Sequence, residues 1–243
     1  MTIRHRPSPN QDDRPPGTPI DTLLLHYTGM LSGQAAIERL CDPVAHVSSH
    51  YVVEEDGTIW QLVDEARRAF HAGISFWRGH TGLNGRTIGI EIVNPGHSHG
   101  YPDFPVLQLA AVCDLCLSIL GRHPIPPRNV VAHSDVAPDR KDDPGEKFPW
   151  ADFARNGVGL WPEGVPDLGT GDAVADAASV AKLRADLAKI GYDVGLAGPQ
   201  DDALATVLRA FQRHWRPEAV TGLADAGTRG RAAAVASLVD ETG

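Results

Sequence analysis

Residues 87–93 read TIGIEIV, a run in which Ile88, Ile90 and Ile92 alternate with Gly89 and Glu91. Alternation at period two puts the isoleucines on one face of a β-strand and the carboxylate on the other. Burying a carboxylate costs several kcal/mol unless it is paired. Glu91 is therefore either an outward-facing residue on a half-exposed strand or a group held in apolar surroundings for its raised pKa. Either way the run asks for a sheet, and the rest of the chain has to supply its partners.

Two further apolar runs stop at a histidine: TLLLH at 22–26 and VVAH at 130–133. Residues 50–53 and 58–63 flank Glu55-Asp56-Gly57 as a hairpin. Residues 34–40 and 105–120 carry helical spacing, the second stretch ending at Gly121. Strands interleaved with helices predict an α/β domain with a central mixed β-sheet flanked by helices, over residues 20–161. Residues 1–19 are polar, proline-rich and aperiodic, which predicts a flexible tail. Residues 162–172 read as a linker. Beyond it Val180, Leu183, Leu187 and Ile190 form one stripe, and Leu204, Val207, Leu208, Phe211 and Trp215 a second. With Ala232, Val235 and Leu238 as a third, residues 173–243 predict a small all-α three-helix domain.

The formal net charge of -9 argues against a nucleic-acid partner, whose phosphates need a basic face. Cys41, Cys113 and Cys116 are odd in number, and the last two lie at helical spacing in an apolar segment, as buried free thiols would. No run approaches the ~20 apolar residues of a membrane span, and no signal peptide is visible. The expected compartment is the cytoplasm, with the periplasm or cell envelope as the alternative if a signal has been removed.

His26 and His133 each close a strand, where a sheet holds functional groups rigidly. Asp143 follows His133 by ten residues in a charged loop. Two imidazoles and a carboxylate form a three-ligand zinc set with a fourth position open. On spacing alone, three unrelated polar residues are an equally good reading. Lys141, in the same loop, reads as a solvated charge or as a fixed cation facing the cleft. Asp135, Asp139, Arg140 and Asp142 read as surface charge, and His97 and His99 as solvated.

Taken together, LLLHYTG, SSHYVVEEDGTIWQLVDEARRAFHAG at 48–73, TIGIEIVNPG and AHSDVAPDRKDDPG resemble the zinc-dependent N-acetylmuramoyl-L-alanine amidases of the AmpD/AmiD type (amidase family 2). The similarity covers about residues 20–160 in order and spacing. It implies one Zn2+ per chain on His26, His133 and Asp143, Glu91 as general base and Lys141 as oxyanion partner. It implies hydrolysis of the amide joining N-acetylmuramic acid to L-alanine in peptidoglycan or muropeptides, 1,6-anhydro forms included. The alternative is a protein that recognises peptidoglycan fragments without cutting them. His71 and Asn94 are candidate substrate contacts through the same resemblance, and Arg86 and Trp77 through their place in the preceding loop. The C-terminal helices more loosely resemble the peptidoglycan-binding domain often attached to such enzymes.

Overall fold

The computed structural model describes residues 2–166, 168–169, 175–195 and 200–241. Its frame is a six-stranded mixed sheet. The strands β1 (Ile3–His5), β2 (Gln11–Asp13) and β3 (Thr22–Tyr27) come first and are followed by helix α1 (Gly33–Leu40). The expected hairpin is present as β4 (Tyr51–Val53) and β5 (Ile59–Gln61). After it come the short strands β6 (Arg67–Ala69), β7 (Phe76–Trp77) and β8 (His80–Thr81), then the central strand β9 (Thr87–Ile92). Helix α2 (Val106–Leu120), strand β10 (Val130–Ala132), the single turn α3 (His133–Val136) and α4 (Trp150–Arg155) complete the α/β part. The sheet order is β1-β5-β4-β9-β3-β10, with β3 parallel to both β9 and β10.

Side-chain alternation divides the sheet as the isoleucine pattern predicts. Leu23, Leu25, Ile88, Ile90, Ile92, Val130 and Ala132 pack with Val112, Leu115 and Ile119 of α2. Their neighbours in sequence, Leu24, His26, Gly89, Glu91 and Val131, therefore face the other way. Leu24 and Val131 join a second core whose remaining members come mostly from the C-terminal helices, Leu187, Leu208 and Phe211 among them.

Those helices are α5 (Ala177–Ile190), α6 (Asp202–Trp215) and α7 (Ala226–Glu241). Asp176 and Asp201 cap the first two by accepting from Ser179 N at 2.7 Å and Leu204 N at 2.8 Å. The three predicted stripes are all buried except Leu238, which is half-buried. The module is not a separate body on a tether, because its core is continuous with the far face of the sheet. The expected linker at 162–172 lies partly outside the described residues.

The expectation of a flexible tail over residues 1–19 is not met, because residues 2–19 are strands and loops of the α/β domain. β1 pairs with β5, and β2 with β6. Ser8 donates to Leu40 O, and Asn10 to Asp42 O and Val47 O. Arg14 donates to the carbonyls of Glu65, Gly85 and Thr87, each at 2.9 Å. This segment is held by polar side chains and edge pairing, so it carries no apolar period that could announce it. No described helix is long and apolar enough to cross a membrane.

Candidate metal centre

His26 is the penultimate residue of β3, Glu91 is its Cα partner on β9, and His133 follows directly on β10. Three neighbouring parallel strands thus deliver two imidazoles and a carboxylate to one end of one sheet face. Asp143 arrives from the loop beyond α3, whose path is tied by Ser134 N donating to Asp143 O at 2.9 Å. Nδ1 of His26 lies 2.8 Å from Nδ1 of His133, and Asp143 Oδ2 lies 3.1 and 3.0 Å from the two. All three residues are buried, and together they can hold a metal ion.

The outer nitrogens of both rings are engaged, which selects the tautomer. His133 Nε2 donates to Ala72 O at 3.2 Å, leaving its Nδ1 lone pair for the shared centre. His26 Nε2 donates to His71 Nδ1 at 3.0 Å. His71 Nε2 in turn faces Thr87 Oγ1 at 3.1 Å, and that hydroxyl donates to Leu83 O at 2.9 Å. Burial, with His133 nearby, lowers His26 to about 4, so the ring is neutral at pH 7 and able to ligate. Burial alone would raise Asp143, but His133 and His26 overcome it and hold the carboxyl well below its usual range.

Glu91 opens on the same cleft, a cavity of about 400 Å³ that His26, His71, His133, Lys141 and Asp143 also line. Its Oε2 is buried without a hydrogen-bond partner among the described residues. Burial raises the carboxyl well above its ordinary value, Asp143 adds to the rise, and Lys141 opposes it. Lys141 is half-buried in the cavity wall rather than solvated. His26, Glu91, His133, Lys141 and Asp143 are thus brought together.

Three of the four remaining expected contacts lie elsewhere. Arg86 forms a bidentate pair with Asp21 and lines a separate cavity with Trp77 and Arg128. Trp77 is 3% exposed and meets Tyr192 edge-on at 5.1 Å, so it seats the helical module instead of covering a sugar. Asn94 is buried with Nδ2 on Pro102 O and Oδ1 on Gly96 N, which shapes the loop after β9. His71 does line the cleft, but both its ring nitrogens are committed to His26 and Thr87, which makes it a support for a ligand. His97 is not solvated: it faces Tyr27 Oη and Glu146 and stacks on Tyr101. Arg140 is exposed, as expected of a surface charge, and its guanidinium donates to Ala72 O and Ile74 O. Asp135 is fully buried, accepting from Ala132 N, Tyr192 Oη and His214 Nδ1. Loop composition cannot distinguish a solvated aspartate from one buried by an element that arrives about 80 residues later.

Residues 16–146 match the family model described as N-acetylmuramoyl-L-alanine amidase, and residues 176–231 match one for a peptidoglycan binding domain. Across 231 residues the chain is 40% identical to the N-acetylmuramoyl-L-alanine amidase AmiD of Escherichia coli K12, an alignment covering 89% of this chain and 82% of AmiD. It also superposes on the structure of E. coli AmiD in complex with the substrate anhydro-N-acetylmuramic acid-L-Ala-D-gamma-Glu-L-Lys, with a TM-score of 0.79 at 38% identity over 93% of each chain. Similarity to the E. coli K12 1,6-anhydro-N-acetylmuramyl-L-alanine amidase AmpD is 35% over 167 residues, covering 62% of this chain and 89% of AmpD. With the site and its frame both accounted for, the chain belongs to the N-acetylmuramoyl-L-alanine amidase family.

Proposed function

We propose that this chain is a zinc-dependent amidase that hydrolyses the bond between the lactyl group of N-acetylmuramic acid and L-alanine, acting on muropeptides that include 1,6-anhydro forms. The observation that carries this reading is the buried, partnerless Glu91 Oε2 beside three convergent donors in one cleft. Two imidazole nitrogens and one carboxylate oxygen are a donor set that suits zinc and leaves a position free for chemistry. His26, His133 and Asp143 would hold the ion. When bound, zinc supplies Lewis acidity that polarises the scissile carbonyl and makes water nucleophilic near neutral pH.

The chain's own groups perform the proton transfers. As a carboxylate made more basic by its buried surroundings, Glu91 accepts a proton from the attacking water and returns it to the leaving nitrogen. Lys141 brings a positive charge to the cavity wall, where it offsets the charge that develops on the carbonyl oxygen. The C–N bond breaks, leaving a muramic carboxylate and a peptide with a free L-alanine amine. Support for the substrate class comes from the relatives' own substrates and from the C-terminal match to a peptidoglycan binding domain.

The test uses purified full-length protein loaded with zinc, offered anhydro-muropeptides and intact sacculi, with products read by mass spectrometry. Free stem peptide and one zinc per chain are the expected result. Glu91→Ala is expected to retain its zinc and lose ~10²-fold or more in kcat. Tight binding of muropeptides without release of peptide would replace the enzyme reading with recognition alone.

A further inference from the structure

Asp135 lies two residues beyond a metal ligand and touches no metal ligand's side chain, yet its surroundings are unusually complete. Its Oδ2 accepts from Ala132 N at 2.8 Å and from His214 Nδ1 at 2.6 Å, and its Oδ1 accepts from Tyr192 Oη. The first bond is local and closes the turn from β10 into α3. The other two come from the helical module, across the boundary between the two sequence domains.

The turn that Asp135 closes is where both late ligands are set. His133 lies within it, and Ser134 N holds the Asp143 carbonyl. Ala132 N, anchored on Asp135, belongs to the residue immediately before His133. The module's donors are themselves immobilised. His214 is stacked between Trp150 at 3.8 Å and Trp215 at 4.0 Å, and Tyr192 is packed edge-on to Trp77. The neighbouring Arg213 pairs with Asp142 at 2.8 Å, so α6 grips the loop again next to Asp143. A buried carboxylate left with one partner out of three is costly and turns to find others.

We propose that Tyr192 and His214 are positioning residues for the metal centre, acting through Asp135 on the turn that carries His133 and Asp143. The helical module is then a supporting wall of the centre as well as a candidate wall-binding element. This rests on the zinc reading above. The AmpD alignment covers 62% of this chain and 89% of AmpD, so the chemistry itself does not demand such a module. The dependence belongs to chains in which the module is docked on this loop.

Tyr192→Phe removes one donor while keeping the ring against Trp77, and His214→Phe removes the other while keeping a ring against Trp150 and Trp215. Both variants are made in the full-length chain, with folding checked by circular dichroism at the assay temperature. Zinc affinity is measured by competition with a chromophoric chelator, geometry by the absorption of the cobalt-substituted protein, and kcat and KM on an anhydro-muropeptide. Each variant is expected to bind zinc about 10-fold more weakly, within the range seen when groups supporting metal ligands are removed. The cobalt spectrum is expected to shift, and kcat to fall with KM changed less than ~2-fold. Variants that lose thermal stability while zinc affinity and the cobalt spectrum stay at the wild-type values would show a merely structural role and overturn the proposal. Wild-type protein that takes up no zinc would overturn the functional reading and this inference together.

Discussion

Gly89 lies beneath the His71 ring, and a Cβ there would sit 2.6 Å from His71 Nδ1, the atom that receives His26. Gly89→Ala is expected to push the ring off His26, costing about 1–3 kcal/mol in urea unfolding and weakening zinc uptake measurably. Unchanged metal affinity in a folded variant would show that His71 does not orient His26. His50 supports the same strand, accepting Gly89 N–H at Nδ1 and meeting Arg67 O with Nε2. Burial, reinforced by Arg14, lowers it to about 3 from 6.5. Below pH 6.5 the unfolded chain takes up a proton that the folded chain refuses, so stability falls with pH down to about 3. The limiting slope is ~1.4 kcal/mol per pH unit for one such group. Metal-free protein is expected to be less stable to urea at pH 5 than at pH 7, with a shallower loss in His50→Gln. The strand-end positions of His26 and His133 and the alternation at Glu91 were legible as local signals, whereas Asp143, an even choice on spacing alone, was assigned through the family resemblance. The second role of His71, and the burial of Asp135, were not legible, since both depend on partners distant in the chain.

At the scale of elements, the six-residue strands β3 and β9 and the helices of eight residues or more announce themselves by period. The edge strands do not. β1 and β2 are three residues each, rich in charge, and paired through backbone and side-chain polarity. Arg14 shows how such a segment is anchored: half-buried, it satisfies three carbonyls from two distant segments. Burial lowers its pKa to about 10, still charged at neutral pH. Arg14→Ala is expected to cost about 2 kcal/mol or more in chemical denaturation, because those carbonyls lose a charged donor. A loss under 0.5 kcal/mol would return residues 1–19 to the standing of a dispensable tail.

For the whole molecule, the three-helix module was legible from its stripes, whereas its docking was not. The residues that join it to the sheet, Trp77, Tyr192, Trp150 and His214, belong to no periodic pattern that names a partner. Because one core runs from Leu24 and Val131 into the helices, calorimetry is expected to show a single transition that moves upward as a unit with zinc. Two resolved transitions, only one of them zinc-sensitive, would mean that the module is energetically separate. The pairing of His26 with Glu91 carries a further consequence for how the molecule comes to be active. Neighbouring strands lie about 4.8 Å apart whatever their side chains, so backbone hydrogen bonding rules the distance from ligand to base as a fixed gauge. A one-residue slip of β9 would turn Glu91 under α2 and bring an isoleucine into the cleft. Such a misregistered chain could be compact and hold its metal and still be inert, so catalytic competence is decided when β3 and β9 first find their register.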